Sequence, residues 1–189
     1  MRVIAGSLAG RELAAPPGRD TRPTSALVRG AIFDVLGARV GSPGAAFPAW
    51  TVLDLFAGTG ALGIEALSRG AAEAWLVESH PAALRVLRRN VAALGLEPRA
   101  HVVAAPVGPF LRSGTPATIG PHLVLADPPY RMGAQSTLHA LEGLAGVSPD
   151  LWIVLQHPAG EELSTRSGTL HCVWHRVYGV TRVSIFVPA

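Results

Sequence analysis

The stretch Val52-Leu-Asp54-Leu-Phe-Ala-Gly58-Thr-Gly60-Ala-Leu-Gly63-Ile-Glu65-Ala-Leu-Ser-Arg69 decides the fold. It opens as an apolar run, passes through a glycine-punctuated turn and resumes with apolar residues at helical spacing, which predicts strand, tight loop and helix. Glycines at such a turn let backbone approach a ligand closely, and the free N–H groups at the start of the following helix favour anionic groups. Gly58-Thr-Gly60-Ala-Leu-Gly63 also satisfies G-x-G-x-x-G. That pattern does not by itself separate a dinucleotide site from other nucleoside sites, or from a tight turn with no ligand.

Outward from this stretch, strands are predicted at 52–56, 74–78, 100–104, 123–126 and 151–155, with helices at 61–69, 81–94 and 135–144. Their alternation is the pattern of a parallel sheet covered on both faces. The rhythm then changes, and 171–178 and 181–187 flank a turn at Gly179 as an antiparallel pair. Upstream, 41–48 is a linker rich in glycine, proline and alanine, and 2–5 and 11–14 form a small hairpin. Pro16, Pro17 and Gly18 break the chain before a helix capped by Thr24 and running to about Leu36. Three units are expected: a 1–40 extension, the 41–48 linker and a 49–189 domain that folds and keeps its ligand site without the extension.

Glu78 ends the second strand, 24 residues after Asp54. An acidic residue there accepts hydrogen bonds from two ribose hydroxyls, whether of NAD or of S-adenosylmethionine. Asp54 separates the two, because its carboxylate suits an ammonium group and repels a pyrophosphate.

Asp127-Pro128-Pro129-Tyr130 follows the fourth strand, at the edge where open α/β sheets bind ligands. It suits attack by a poor nucleophile, an exocyclic amino group whose lone pair is delocalised into its base. The Asp127 carboxylate and a carbonyl of the proline segment accept the amino hydrogens, two prolines stiffen the arrangement, and Tyr130 stacks on an extruded base. An aspartate is a poor proton acceptor at neutral pH, so its role is hydrogen bonding and electrostatic preorganisation.

The sequence has 189 residues, of which 49% are apolar, and all 16 basic residues are arginine. No apolar run approaches the roughly 20 residues of a membrane span and no signal peptide is evident, so a soluble, cytoplasmic protein is expected. A single cysteine, Cys172, excludes an internal disulfide. Residues 1–40 hold six arginines against three acidic residues, whereas the other 149 residues hold ten of each. The excess positive charge therefore falls on the extension, where arginine forks grip phosphate.

With these residues in place the chain resembles the RsmD-type 16S ribosomal RNA guanine-N2 methyltransferases over nearly its whole length. The matching segments are Arg2-Val-Ile-Ala-Gly6, Gly10-Arg11, Arg22-Pro-Thr24 with Val28-Arg29 and Phe33, the run Asp54 to Ala71, and Asp127 to Tyr130. The resemblance implies an α/β class I S-adenosylmethionine-dependent methyltransferase fold, Rossmann-like, with a mostly parallel seven-stranded sheet ending in an antiparallel hairpin. It also implies methyl transfer to the N2 of a guanine in 16S rRNA, within the small ribosomal subunit. The expected cofactor-binding residues are Asp54, Phe56, Ala57, Gly58, Thr59, Gly60, Glu78 and Ser79, and the expected catalytic residues are Asp127, Pro128, Pro129 and Tyr130. Arg22, Thr24 and Arg29 are the expected substrate contacts. Gly30 and Gln156 stand where glutamate is frequent in that family, and Pro106 falls where an acidic or amide side chain would contact adenine.

Three rivals use parts of this pattern. A DNA adenine-N6 methyltransferase shares the Asp-Pro-Pro-Tyr chemistry but calls for a target-recognition domain. An NAD-dependent oxidoreductase leaves Asp127 to Tyr130 without a role, and a noncatalytic RNA-binding ribosome-assembly factor needs only the basic arm. No metal is expected, because His171 and His175, read as sharing a strand face, lack a third ligand. Trp75, Trp152 and Trp174 are read as packing residues. Cys172, away from any proline-cysteine loop, argues against methylation at cytosine C5.

Overall fold

The structure is a computed structural model that describes residues 1–15, 25–39, 47 and 49–189, with Tyr130 described by its backbone alone. Five strands, β1 (Thr51–Leu55), β2 (Glu73–Glu78), β3 (Ala100–Ala104), β4 (Leu123–Ala126) and β5 (Trp152–Pro158), pair in parallel. Three more, β6 (Arg166–Ser167), β7 (Leu170–Tyr178) and β8 (Thr181–Pro188), add in antiparallel fashion, giving the order β3-β2-β1-β4-β5-β8-β7-β6. The expected count of seven becomes eight. The extra strand has two residues, Arg166 and Ser167, which fold back on His171 and Leu170 around Gly168 at φ +55°. A strand that short leaves no alternation to detect.

Helices α2 (Ala61–Ser68) and α3 (Pro81–Ala93) cover one face, and α4 (Val107–Arg112), α5 (Thr115–Ile119) and α6 (Ala134–Leu141) follow β3 and β4. The sheet separates two cores. Ile64, Leu67, Leu76 and Leu87 belong to one, and Phe110, Val124, Leu138 and Phe186 to the other. Of the tryptophans, Trp152 and Trp174 pack against the first core and Trp75 against the second.

Helix α1 (Ala26–Arg39) joins the first core through Val28, Ile32, Phe33 and Leu36. Thr24 lies outside the described residues, and Ser25 Oγ accepts the Val28 N–H at 3.3 Å at the start of the helix. Residues 1–13 form the expected hairpin, though with one bridge, Arg2 to Glu12. It is fastened to α2 by the buried Glu65 carboxylate, which accepts the N–H groups of Ile4 (2.8 Å) and Ala5 (3.0 Å) and the Arg69 Nε–H (2.9 Å). Gly6, at φ +84°, sits so close that a Cβ would lie 1.9 Å from the Ser68 carbonyl oxygen.

A bulge between Cys172 and Trp174 changes the reading of the β7 histidines. His171 pairs with Val187 and His175 with Ser184, positions of opposite parity on β8. The two rings therefore project from opposite faces rather than one. Among the described residues, no three His, Cys, Asp or Glu side chains gather as metal ligands. No helix there is long and apolar enough to cross a membrane.

Candidate active site

β1 pairs with β2 on one side and β4 on the other, so the connections depart in opposite directions between β1 and β4. That switch point leaves a crevice beyond the carboxyl ends of the two strands. A cavity of about 740 Å³ opens there, bordered by the Gly58 loop, Glu78, Pro106 and Asp127.

The loop is shaped by one strained residue. Phe56 lies at φ +63°, in the left-handed region, which costs a non-glycine residue on the order of 1–3 kcal/mol. The resulting bend sends the Ala57 N–H to the Val77 carbonyl (2.9 Å) and the Gly58 N–H to Glu78 Oε2 (2.9 Å). Gly58 follows at φ +57°, where a Cβ would meet only the Phe56 carbonyl oxygen, at 3.9 Å, and it lines the cavity. Gly60, at φ +83°, points the other way. A Cβ there would meet Leu87 Cδ1 at 2.5 Å, and Gly60 does not line the cavity. Its glycine lets α2 pack on α3 rather than giving a ligand room.

Glu78 Oε1 also accepts the N–H groups of Ser79 (2.8 Å) and His80 (2.7 Å). Three backbone donors fix the carboxylate at the cavity wall and leave it lone-pair capacity for a hydroxyl. Asp54 is buried and accepts the Gly63 N–H at 2.8 Å. Burial, joined by the negative fields of Asp127 and Glu78 and opposed by the Gly63 hydrogen bond, pushes its carboxyl up to about 7. Three carboxylates thus face one cavity.

Asp127 and Pro129 line the same cavity, while Pro128 is buried behind them. Arg131 and Met132, in the single-turn helix Tyr130–Met132, complete that wall and were not expected from the motif. Pro106 and Val107 at the start of α4 border the cavity. Met1 and Ala15 reach it from the N-terminal segment. Met1 is held by Leu13, through its own amino group (3.0 Å) and the Leu13 N–H (2.8 Å), and Ala15 follows Ala14, which is held by Asn90, whose amide donates to the carbonyls of Ala14 (3.1 Å) and Thr59 (2.9 Å) and accepts the Ala14 N–H (2.8 Å).

Arg22 and Thr24 lie outside the described residues. Arg29 requires a correction, because its side chain is buried on the inner stripe of α1 with Ile32 and Leu36. Its Nη2 donates to the Arg2 carbonyl at 2.7 Å, and burial lowers its pKa against the opposing field of Glu65. It holds the N-terminal hairpin on α1 and is not available to a phosphate.

Taken together, the sheet order, the switch-point cavity lined by Asp54, Glu78 and Asp127, and the antiparallel β7–β8 pair define the class I methyltransferase fold. The chain belongs to the family described as "Conserved hypothetical protein 95", whose model matches residues 1–187. It is 34% identical over 187 residues to "Putative rRNA methyltransferase YlbH" of Bacillus subtilis, covering 98% of each chain. It is 35% identical over 167 residues to "Ribosomal RNA small subunit methyltransferase D" of Escherichia coli, covering 87% of this chain and 78% of the relative. Among solved structures, "Putative methyltransferase yhhF" of Escherichia coli superposes with a TM-score of 0.81 at 31% identity, over 100% of this chain and 97% of that one.

Proposed function

We propose that this chain transfers a methyl group from S-adenosylmethionine to the exocyclic N2 of a guanine in 16S rRNA of the small ribosomal subunit. The observation that carries the reading is one cavity lined by Glu78 and Asp54 together with Asp127 and Pro129. The donor set fits the cofactor, since Glu78 suits ribose hydroxyls and the ionised Asp54 suits an ammonium group. When bound, the cofactor supplies a methyl carbon activated by a positively charged sulfur.

Asp127 and a carbonyl of the proline segment accept the amino hydrogens, which turns the lone pair toward the methyl group. Positive charge developing on that nitrogen as it accepts the methyl group would be stabilised by the Asp127 carboxylate, and the proton the methylated nitrogen then sheds would pass to water. Proximity within the cavity supplies much of the remaining acceleration. Residues 1–40 serve as the RNA-recognition extension, with Arg22 and Thr24 as its contacts.

The test is transfer of radiolabelled methyl to small ribosomal subunits from a strain lacking the protein, followed by nucleotide mapping. Label at one guanine N2 is expected. Asp127→Ala should lower transfer about 100-fold, corresponding to a lost contact of roughly 3 kcal/mol, while cofactor affinity stays within a fewfold. Label in DNA alone, or unchanged transfer by Asp127→Ala, would overturn the reading.

A further inference from the structure

Beyond residue 40 the balance of ten arginines and ten acidic residues conceals an asymmetry. Residues 41–162 hold seven arginines and ten acidic residues, whereas 163–189 hold Arg166, Arg176 and Arg182 and no acidic residue. This segment is thus as basic in net terms as the N-terminal extension, and two of its three arginines, Arg176 and Arg182, lie on the β7–β8 hairpin.

Topology sets where this charge is displayed. Ala126, the last residue of β4, pairs with Leu155, and β5 continues for three residues to Pro158, which pairs with Thr181 of β8. At about 3.3 Å per residue, the β7–β8 turn stands about 10 Å beyond the end of β4. It is on the same edge as Asp127, and an Ala159 N–H to Val180 carbonyl bond of 2.9 Å braces it. Arg176 pairs with Val183 and Tyr178 with Thr181, the face occupied by α1 and the N-terminal hairpin. The Arg176 guanidinium lies 5.5 Å from the centroid of the Tyr178 ring, and Arg176, Val177 and Val180 are exposed. Glu161, the nearest acidic residue in sequence apart from Glu162, is occupied by the Ala134 N–H at 2.8 Å.

We propose that the tip of the β7–β8 hairpin, from Arg176 to Arg182, is an RNA-contacting element that grips the sugar–phosphate backbone beside the base entering the cavity. This rests on the reading that the substrate is RNA. A stacked arginine–tyrosine pair with exposed valines beside it offers a guanidinium to phosphate and apolar area to ribose and base, and its position past the catalytic edge matches strand flanking an extruded nucleotide. The N-terminal segment packs on the same face of the sheet, so the two basic segments lie on one side of it.

The test measures binding of the full-length protein to small ribosomal subunits and to a short fluorescein-labelled single-stranded RNA across a salt series. Arg176→Ala should weaken both about fivefold and reduce the slope of log affinity against log salt by about 0.7, the value for one lost phosphate contact on a single strand. Arg176→Glu should weaken them further, and S-adenosylhomocysteine affinity and melting temperature should match wild type in both variants. Unchanged affinity and slope would overturn the proposal. Weakened binding to subunits with unchanged binding to RNA would also overturn it, by assigning the tip to a ribosomal protein. If wild type binds S-adenosylhomocysteine but neither probe, the RNA reading itself fails and the hairpin proposal falls with it.

Discussion

At the scale of single residues, Asp54 carries the sharpest consequence. Its carboxyl is raised from 3.8 to about 7 by burial and by the fields of Asp127 and Glu78. Between those values the folded chain holds a proton that the unfolded chain releases, so this group's contribution to stability falls as pH rises through the window and is constant above about 7. Ligand binding runs the other way, since an ammonium group favours ionised Asp54. The affinity for S-adenosylhomocysteine should therefore rise about tenfold between about pH 6 and pH 8, following the ionised fraction of a group titrating near 7. Asp54→Asn should bind more weakly and without this slope. Calorimetry in buffers of different ionisation enthalpy would detect the proton release, and a flat wild-type profile would refute the assignment. The sequence located Asp54 and Glu78 because strand ends and a glycine loop are short-range signals. It did not reveal that Phe56 rather than a glycine adopts the first left-handed turn, because only the Val77 and Glu78 partners impose that conformation. It also misassigned Arg29, since an arginine on an apolar stripe is legible as buried only once Arg2 and Glu65 are brought to it.

At the scale of elements, the parallel strands and their long helices were legible because each buries several residues at a fixed period. The helices α4 and α5 were not. They are six and five residues long and are separated by Ser113 and Gly114, so neither shows a full amphipathic repeat. The face of His175 was hidden for a related reason, as a single bulged residue reverses every side chain beyond it. Asn90 joins three elements that sequence separation gave no reason to connect: α3, the Gly58 loop and the N-terminal hairpin. Asn90→Leu removes the partners of two carbonyls and one N–H, and at roughly 1–3 kcal/mol for each buried group left unsatisfied it should destabilise the fold by about 3 kcal/mol. Because Thr59 and Ala15 border the cavity, the loss should also weaken S-adenosylhomocysteine binding several-fold and speed hydrogen exchange at the Ala14 amide. A folded variant with wild-type cofactor affinity would confine Asn90 to stability.

At the scale of the whole molecule, the N-terminal segment is expected from the sequence to be separable, whereas its described residues share the main core. Val3, Leu13, Val28, Ile32, Phe33 and Leu36 belong to the same buried cluster as Ile64, Leu67, Leu76 and Leu87. Composition shows a basic, proline-broken arm and cannot show that its apolar stripe shares that core. In a chain beginning at Ala49, the faces of α2 and α3 that the segment covers would meet water, and Glu65 and Asn90 would lose their partners at Ile4, Ala5 and Ala14. Re-exposing buried leucine- or isoleucine-sized side chains costs about 1.5–3 kcal/mol each, and a domain is stable by only about 5–15 kcal/mol in total. The truncated chain should accordingly lose its cooperative thermal transition, bind a hydrophobic dye and fail to bind S-adenosylhomocysteine. Shortening the chain only to Ser25 removes the cover of the hairpin but keeps α1, and should give an intermediate stability with weakened cofactor binding, since Met1 and Ala15 border the cavity. A sharp melting transition and full-length cofactor affinity in the Ala49 chain would show that the segment rests on the domain without supporting it, and would return residues 1–40 to a role in substrate binding alone.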